Sequence, residues 1–187
     1  MTLDPRVFKA YDVRGLYPGE LDEEGAYAIG RAYVEQFEPK RIAVGRDMRL
    51  SSPTMAKAVV RGASDAGAAV KDIGTVGTEM LYFAVGHLDL DGGITVTASH
   101  NPKDYTGMKI VRRGALPVGG DSGLLDVRTR ALTAREHEHD GRGTIESHDI
   151  WPTTAEYTAR STFTIGSGRT RASQSCRRRS CARSCLG

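Results

Sequence analysis

The chain of 187 residues is long enough for one ordinary domain or a domain with an appendage, and its 39% hydrophobic against 6% aromatic content implies an aliphatic core. There is no run of about 18 apolar residues, and Met1-Thr2-Leu3-Asp4-Pro5-Arg6 lacks the basic-then-apolar layout of a signal peptide, so we expect a cytoplasmic protein without membrane span or leader. The net charge of +3 hides a division, because seven of the 26 basic residues are arginines from Arg160 onward and residues 1–159 keep 19 basic against 23 acidic residues, a net −4. Cys176, Cys181 and Cys185 fall in the same terminal stretch, which leaves the rest with neither a disulfide framework nor a thiolate metal site.

Taken in order, the chain reads as alternating strands and helices. Val7-Phe8-Lys9-Ala10 is strand-like and continues through Tyr11-Asp12-Val13-Arg14 into a loop with Gly15, Pro18 and Gly19. Over residues 22–37, Ala26, Ile29, Tyr33 and Phe37 recur at spacings of three and four, and Asp22, Glu23 and Glu24 sit where a helix dipole favours acids. Arg41-Ile42-Ala43-Val44-Gly45 is a buried strand. Arg46-Asp47-Met48-Arg49-Leu50-Ser51 then turns into a second helix, with Ser52 as expected N-cap and Pro53 at its first position. That helix buries Met55, Ala56, Val59, Val60 and Ala63, runs to about Asp65 and stops near Gly67.

A strand over residues 68–74 follows, then a loop with Gly74, Thr75, Gly77 and Thr78, and a short helix carrying Met80, Leu81, Phe83, Ala84 and Leu88. Ile94, Val96 and Ala98 alternate with Thr95 and Thr97 in the next strand, and Gly107-Met108-Lys109-Ile110-Val111-Arg112-Arg113 returns beside it. Gly119-Gly120-Asp121-Ser122-Gly123 opens a last helix through about Leu132. Glu136-His137-Glu138-His139-Asp140 lacks the i,i+4 spacing that places two imidazoles on one helical face, so we read it as a solvated loop and not a metal tract. Residues 150–157 begin another helix. The alternation predicts an α/β fold, a mostly parallel sheet covered by helices.

Ser99 stands just past the end of its strand, where open α/β sheets bind ligands. A serine hydroxyl needs a neighbouring base or a cation before it becomes a useful nucleophile or phosphate carrier, and His100, Asn101 and Lys109 are the candidates nearby. Taken alone, a Ser-His pair is most simply a polar turn, Arg14 a solvated surface charge and Lys109 an exposed strand charge. The longer string Thr97-Ala98-Ser99-His100-Asn101-Pro102, followed by Gly107-Met108-Lys109-Ile110, reverses that reading. It resembles the active-site segment of the α-D-phosphohexomutases, the phosphomannomutase and phosphoglucomutase family, and Phe8-Lys9-Ala10-Tyr11-Asp12-Val13-Arg14-Gly15 is similar to a second segment of that family.

The resemblance covers roughly residues 7–158 and implies the following. Ser99 carries a phosphate, gives it to a sugar phosphate to form a bisphosphate, and recovers a phosphate from the other position, interconverting hexose 6-phosphate and hexose 1-phosphate. His100 and Lys109 are catalytic, Lys109 in proton transfer; Arg14 faces the phosphate, Tyr11 the substrate entrance, and Asn101 binds phosphate or substrate. Mg2+ is the implied cofactor, held at Ser99 through its phosphate, while the family's Asp-Gly-Asp-Gly-Asp-Arg type metal loop has no counterpart here. Family members have four α/β domains around one cleft, so residues 1–158 are expected to be the first, and not to turn over alone. A sugar phosphate is the expected partner, neither a membrane nor a nucleic acid is, and oligomeric state stays open.

Residues 159–187 are rich in Arg, Ser and Cys without apolar periodicity, which predicts a disordered tail. Arg177-Arg178-Arg179 allows a nucleic-acid reading, and the cysteine spacing lacks the close pairs of structural zinc sites. We prefer a reading frame shifted near Arg160, since out-of-frame GC-rich DNA yields such a composition. The alternative for the whole chain is a non-enzymatic remnant or phosphate-binding module with an Arg-rich interaction tail.

Overall fold

The computed structural model describes residues 2–133 and 141–158; the charged tract 136–140 and the tail 159–187 lie outside the described residues. Met1–Asp149 form one compact unit, and a second begins at Ile150, of which residues 151–158 are helical. The first unit runs β1 (Val13–Leu16), α1 (Glu23–Phe37), β2 (Arg41–Arg46), α2 (Ser52–Asp65), β3 (Ala69–Thr75), α3 (Thr78–His87), β4 (Gly92–Val96), β5 (Tyr105–Arg112), β6 (Leu116–Pro117), α4 (Leu124–Thr133) and β7 (Ile145–Ser147).

The strands form one sheet in the order β1-β5-β4-β2-β3-β7, with β6 also on β5. Pairs β4–β2, β2–β3 and β3–β7 are parallel, and every antiparallel pair involves β5. Among the described strands, then, β5 alone runs against the rest, and the sheet is mostly parallel as its alternating sequence predicts. The return at residues 97–104 is too short for a helical crossover, so β5 has to pair with β4 as a hairpin would.

Strand alternation divides the core between two faces. Ile42, Val44, Ile94, Val96, Met108 and Ile110 join α1, α2 and α4 in one buried cluster. On the other face Gly93 lies against Leu81 of α3, whose Cδ1 would stand 2.8 Å from a Cβ added there. Helix α1 starts where three consecutive acids predict it, because the Asp22 side chain accepts from the Gly25 amide and caps the first turn. Gly67 beyond α2 has a positive φ of 96°, a backbone setting that favours glycine at a helix stop.

Two local expectations fail for clear reasons. Val7-Phe8 is not a strand: Pro5–Val7 make a 3-10 turn in which the Asp4 carboxylate accepts from the Arg6 amide, and Pro5 supplies a helical φ. The strand comes later and includes Gly15, which has no side chain to collide with Val7 Cγ1, 2.6 Å from where its Cβ would be. The cap position of α2 is Ser51 and not Ser52. Ser52 is buried inside the first turn, and its hydroxyl donates to Asp47 at 2.5 Å.

Candidate active site

Beyond Val96 the chain leaves the sheet through a loop closed by its own polar atoms. The Thr97 amide donates to the Gly107 carbonyl at 2.9 Å, the Thr97 hydroxyl accepts from the Ser99 amide at 3.0 Å, and the Ala98 carbonyl accepts from the Asn101 amide at 3.1 Å. Ser99 itself has φ 53°, the left-handed region that costs a residue with a Cβ unless its surroundings enforce it. Ser99 and His100 are exposed, and Ser99 Oγ lies 2.9 Å from His100 Nδ1. In the tautomer protonated at Nε2, Nδ1 accepts a hydrogen bond from the serine hydroxyl.

Asn101 faces inward, its side-chain amide donating to the Ala98 carbonyl at 2.7 Å. It shapes the loop.

Arg14 reaches the same end of the sheet by register. It pairs with Gly107 on β5, and Gly107 pairs through its carbonyl with Thr97. Glycine is required at this crossing, since a Cβ at 107 would run into the Val13 carbonyl oxygen and lie 3.1 Å from the Thr97 carbonyl oxygen. Thr97 just past β4, Gly107 on β5 and Arg14 on β1 thus form one row, and Thr97 is two residues from Ser99.

The buried carboxylate of Asp12 gathers the two cations. It accepts from Arg14 at 2.6 Å and lies 3.8 Å from Lys109 Nζ. Lys109 is opposite Thr95 on β4, one strand from the serine loop. Both cationic side chains keep about a third of their surface open, 35% for Arg14 and 31% for Lys109, so an anion can reach them. Among the described residues no hydrogen bond or ion pair joins either one to Ser99. Tyr11, 79% exposed, stands at the turn before β1, beside Gly119.

Sequence reasoning missed Asp12 and Arg49. The guanidinium of Arg49 donates to the carbonyls of Ser99, Asn101, Pro102 and Tyr105, and its Nε pairs with Asp47 at 3.2 Å. The one available signal was the dense charge of Arg46-Asp47-Met48-Arg49 immediately after a strand that neighbours β4.

Among the described residues no group of three or more His, Cys, Asp or Glu side chains is placed to hold a metal ion. Asp12, beside the cations, is already engaged by both. These residues do not by themselves fit a magnesium site. No described helix is long and apolar enough to cross a membrane.

A mostly parallel sheet covered by helices on both faces, with a polar loop at the carboxyl end of a central strand, defines an α/β domain of the architecture in which ligands bind at strand ends. The chain belongs to the phosphoglucomutase/phosphomannomutase family, whose α/β/α domain I matches residues 5–130. It is 57% identical over 124 residues to a phosphomannomutase of Escherichia coli, covering 66% of this chain and 27% of that protein. A phosphomannomutase of Vibrio cholerae is 51% identical over 150 residues, covering 78% and 32%. A crystal structure of a phosphoglucomutase/phosphomannomutase family protein from Burkholderia thailandensis superposes with a TM-score of 0.75 at 36% identity, covering 83% of this chain and 35% of that one. The chain spans about a quarter to a third of the length of these relatives.

Proposed function

We propose that residues 1–158 are the phosphoserine-bearing domain of a phosphohexomutase, interconverting hexose 6-phosphate and hexose 1-phosphate. The observation that carries this reading is Ser99 itself, exposed beyond a central strand and held at φ 53° with its hydroxyl on an imidazole nitrogen. In each transfer the bond between Ser99 Oγ and phosphorus breaks as a sugar hydroxyl oxygen bonds to phosphorus, giving a bisphosphate. The hydroxyl proton passes to a base, the role we assign to Lys109 in its neutral amine form, and the Ser99 oxygen leaves as the hydroxyl by taking up a proton from His100 Nδ1. The return transfer forms the Ser99 bond again from the other phosphate of the sugar.

Positioning and charge stabilisation dominate such transfers. Arg14, drawn to the serine's end of the sheet with Lys109 by Asp12, is suited to balance the phosphate charge, His100 to hold the Ser99 proton at Nδ1, and Tyr11 to meet the sugar. Asn101 contributes through the loop shape. Magnesium at the phosphate would neutralise charge, and its protein ligands are not supplied by the described residues.

A preparation of this 187-residue chain should therefore take a phosphoryl group from a sugar bisphosphate without turning over. Mass spectrometry should map phosphoserine to Ser99 and find none in Ser99→Ala. Phosphate on another residue, or on none, would count against the assignment, and binding of inorganic phosphate without modification would favour a non-enzymatic module. A coupled mutase assay with magnesium and bisphosphate activator should stay at background. Turnover near the ordinary enzyme value of about 10 per second would show this chain sufficient by itself.

A further inference from the structure

We propose that Arg49 is a positioning residue for Ser99, clamping the serine loop by its backbone. Guanidinium has five N–H donors in one plane, and here each has a partner. Nη2 donates to the Ser99 carbonyl at 2.9 Å and the Asn101 carbonyl at 2.7 Å. Nη1 donates to the Pro102 carbonyl at 2.7 Å and the Tyr105 carbonyl at 3.3 Å. Nε pairs with Asp47 Oδ2 at 3.2 Å.

Asp47 is fixed in turn. Its amide donates to the Val96 carbonyl at 2.9 Å, and Oδ1 accepts from the Ser52 hydroxyl at 2.5 Å. The clamp is thus bolted to the ends of β2, β4 and α2, and it grips the loop from Ser99 to the start of β5.

This arrangement accounts for the left-handed backbone at Ser99. A non-glycine residue at φ 53° persists only where its neighbours over-determine it, and the carbonyl of that residue is one of the four held. Charge-assisted hydrogen bonds are roughly twice as strong as neutral ones, and four converging carbonyls form a socket that only a planar fork fills. Lysine has three donors and no plane, so it cannot serve four carbonyls and Asp47 together. Arg49 also puts a permanent positive charge within hydrogen-bond distance of the Ser99 backbone, beneath the residue we assign to carry phosphate.

The inference rests on the Ser99 reading for its purpose but not for its test. In the full chain, hydrogen exchange should be compared at Ser99, Asn101 and Tyr105 in wild type, Arg49→Lys and Arg49→Ala. We expect exchange there to speed up by at least about tenfold in Arg49→Lys, which gives up two of the five donors, and by more in Arg49→Ala, which gives up all five, while the amides of α1, α2 and β2 are unchanged. The 15N spectrum of the His100 ring should lose the signature of its Ser99 contact, and millimolar methylguanidinium should restore both readouts in Arg49→Ala.

Loop exchange in Arg49→Lys equal to wild type would overturn the clamp. So would loosening of the whole domain in both variants, which would make Arg49 a general structural residue. Wild type failing to accept phosphate at Ser99 would sink the functional reading and leave the exchange result intact.

Discussion

Helices α1 and α2 touch through glycines, and that contact predicts opposite signs for one chemical change made at two places. Gly62 of α2 is buried against α1, where an added Cβ would run into the Tyr27 carbonyl oxygen and lie 3.0 Å from its carbon and 3.1 Å from the Arg31 nitrogen. Gly30 of α1 meets Val59 in the same way, with the carbonyl oxygen at 2.5 Å. These neighbours are backbone and cannot rotate aside, so Gly62→Ala has to push the helices apart. Overpacking costs about 1–3 kcal/mol, and we take the upper part, about 2–3, for a backbone clash. Alanine returns up to about 1 kcal/mol through helix propensity, leaving a net loss of roughly 1–2 kcal/mol. Gly86 of α3 has nothing within 4 Å of its would-be Cβ and is exposed, so Gly86→Ala keeps only the gain. At about 2–4 °C per kcal/mol for a chain of this size, Gly62→Ala should melt roughly 2–8 °C below wild type and Gly86→Ala roughly 1–4 °C above it. Thermal melts followed by circular dichroism measure both. Equal shifts in the two variants, or a Gly62→Ala protein as stable as wild type, would refute the contact.

Other measurements follow from single contacts. The Asp22 carboxylate suffers burial, which opposes its charge, yet the Gly25 and Thr2 amides hold its pKa below the usual carboxylate value. Its stabilisation is therefore complete above the unfolded value of about 4 and is lost as pH falls through the lower folded value, so Asp22→Asn should cost about 1 kcal/mol at pH 6 and much less at pH 2. An equal loss at both pH values would exclude the carboxylate as the cause. Burial also pushes the Tyr33 phenol up, and its hydroxyl donates to the Val111 carbonyl at 2.9 Å, so Tyr33→Phe should lower stability by about 1 kcal/mol in urea melts while the ring contact with Phe37 persists. Asp12→Asn removes the negative charge shared by Arg14 and Lys109. Inorganic phosphate, followed through the Ser99 and His100 resonances, should bind that variant a few-fold tighter and with steeper salt dependence; weaker binding would mean Asp12 is needed to aim the cations.

The parts of this fold that were legible in the sequence are those written in apolar spacing. Tyr33 and Phe37 recur four residues apart and pack ring to ring at 5.4 Å, and Ile94 and Val96 alternate into a fully buried strand. Ser99 was legible because Thr97-Ala98-Ser99-His100-Asn101-Pro102 resembles a family segment, although its strand, expected to include Ala98, ends at Val96. Geometry that depends on atoms common to all residues leaves no such mark. Arg49 is 50 positions from Ser99 in sequence, and what it binds are carbonyl oxygens, which no side-chain pattern announces. Ser52, expected as the N-cap of α2, lies one residue inside the helix with its hydroxyl on Asp47, and the cap position falls to Ser51. Asp12 stood inside a recognised segment, but its role appears only once β1 and β5 are in register and bring Arg14 and Lys109 to one carboxylate. A loop beyond a strand can thus be placed from the sequence, while the groups that hold it must be sought on neighbouring strands whose order is fixed by the whole sheet. In this chain that order is β2 beside β4 beside β5 beside β1, and it delivers the clamp from one side of the serine and the cations from the other.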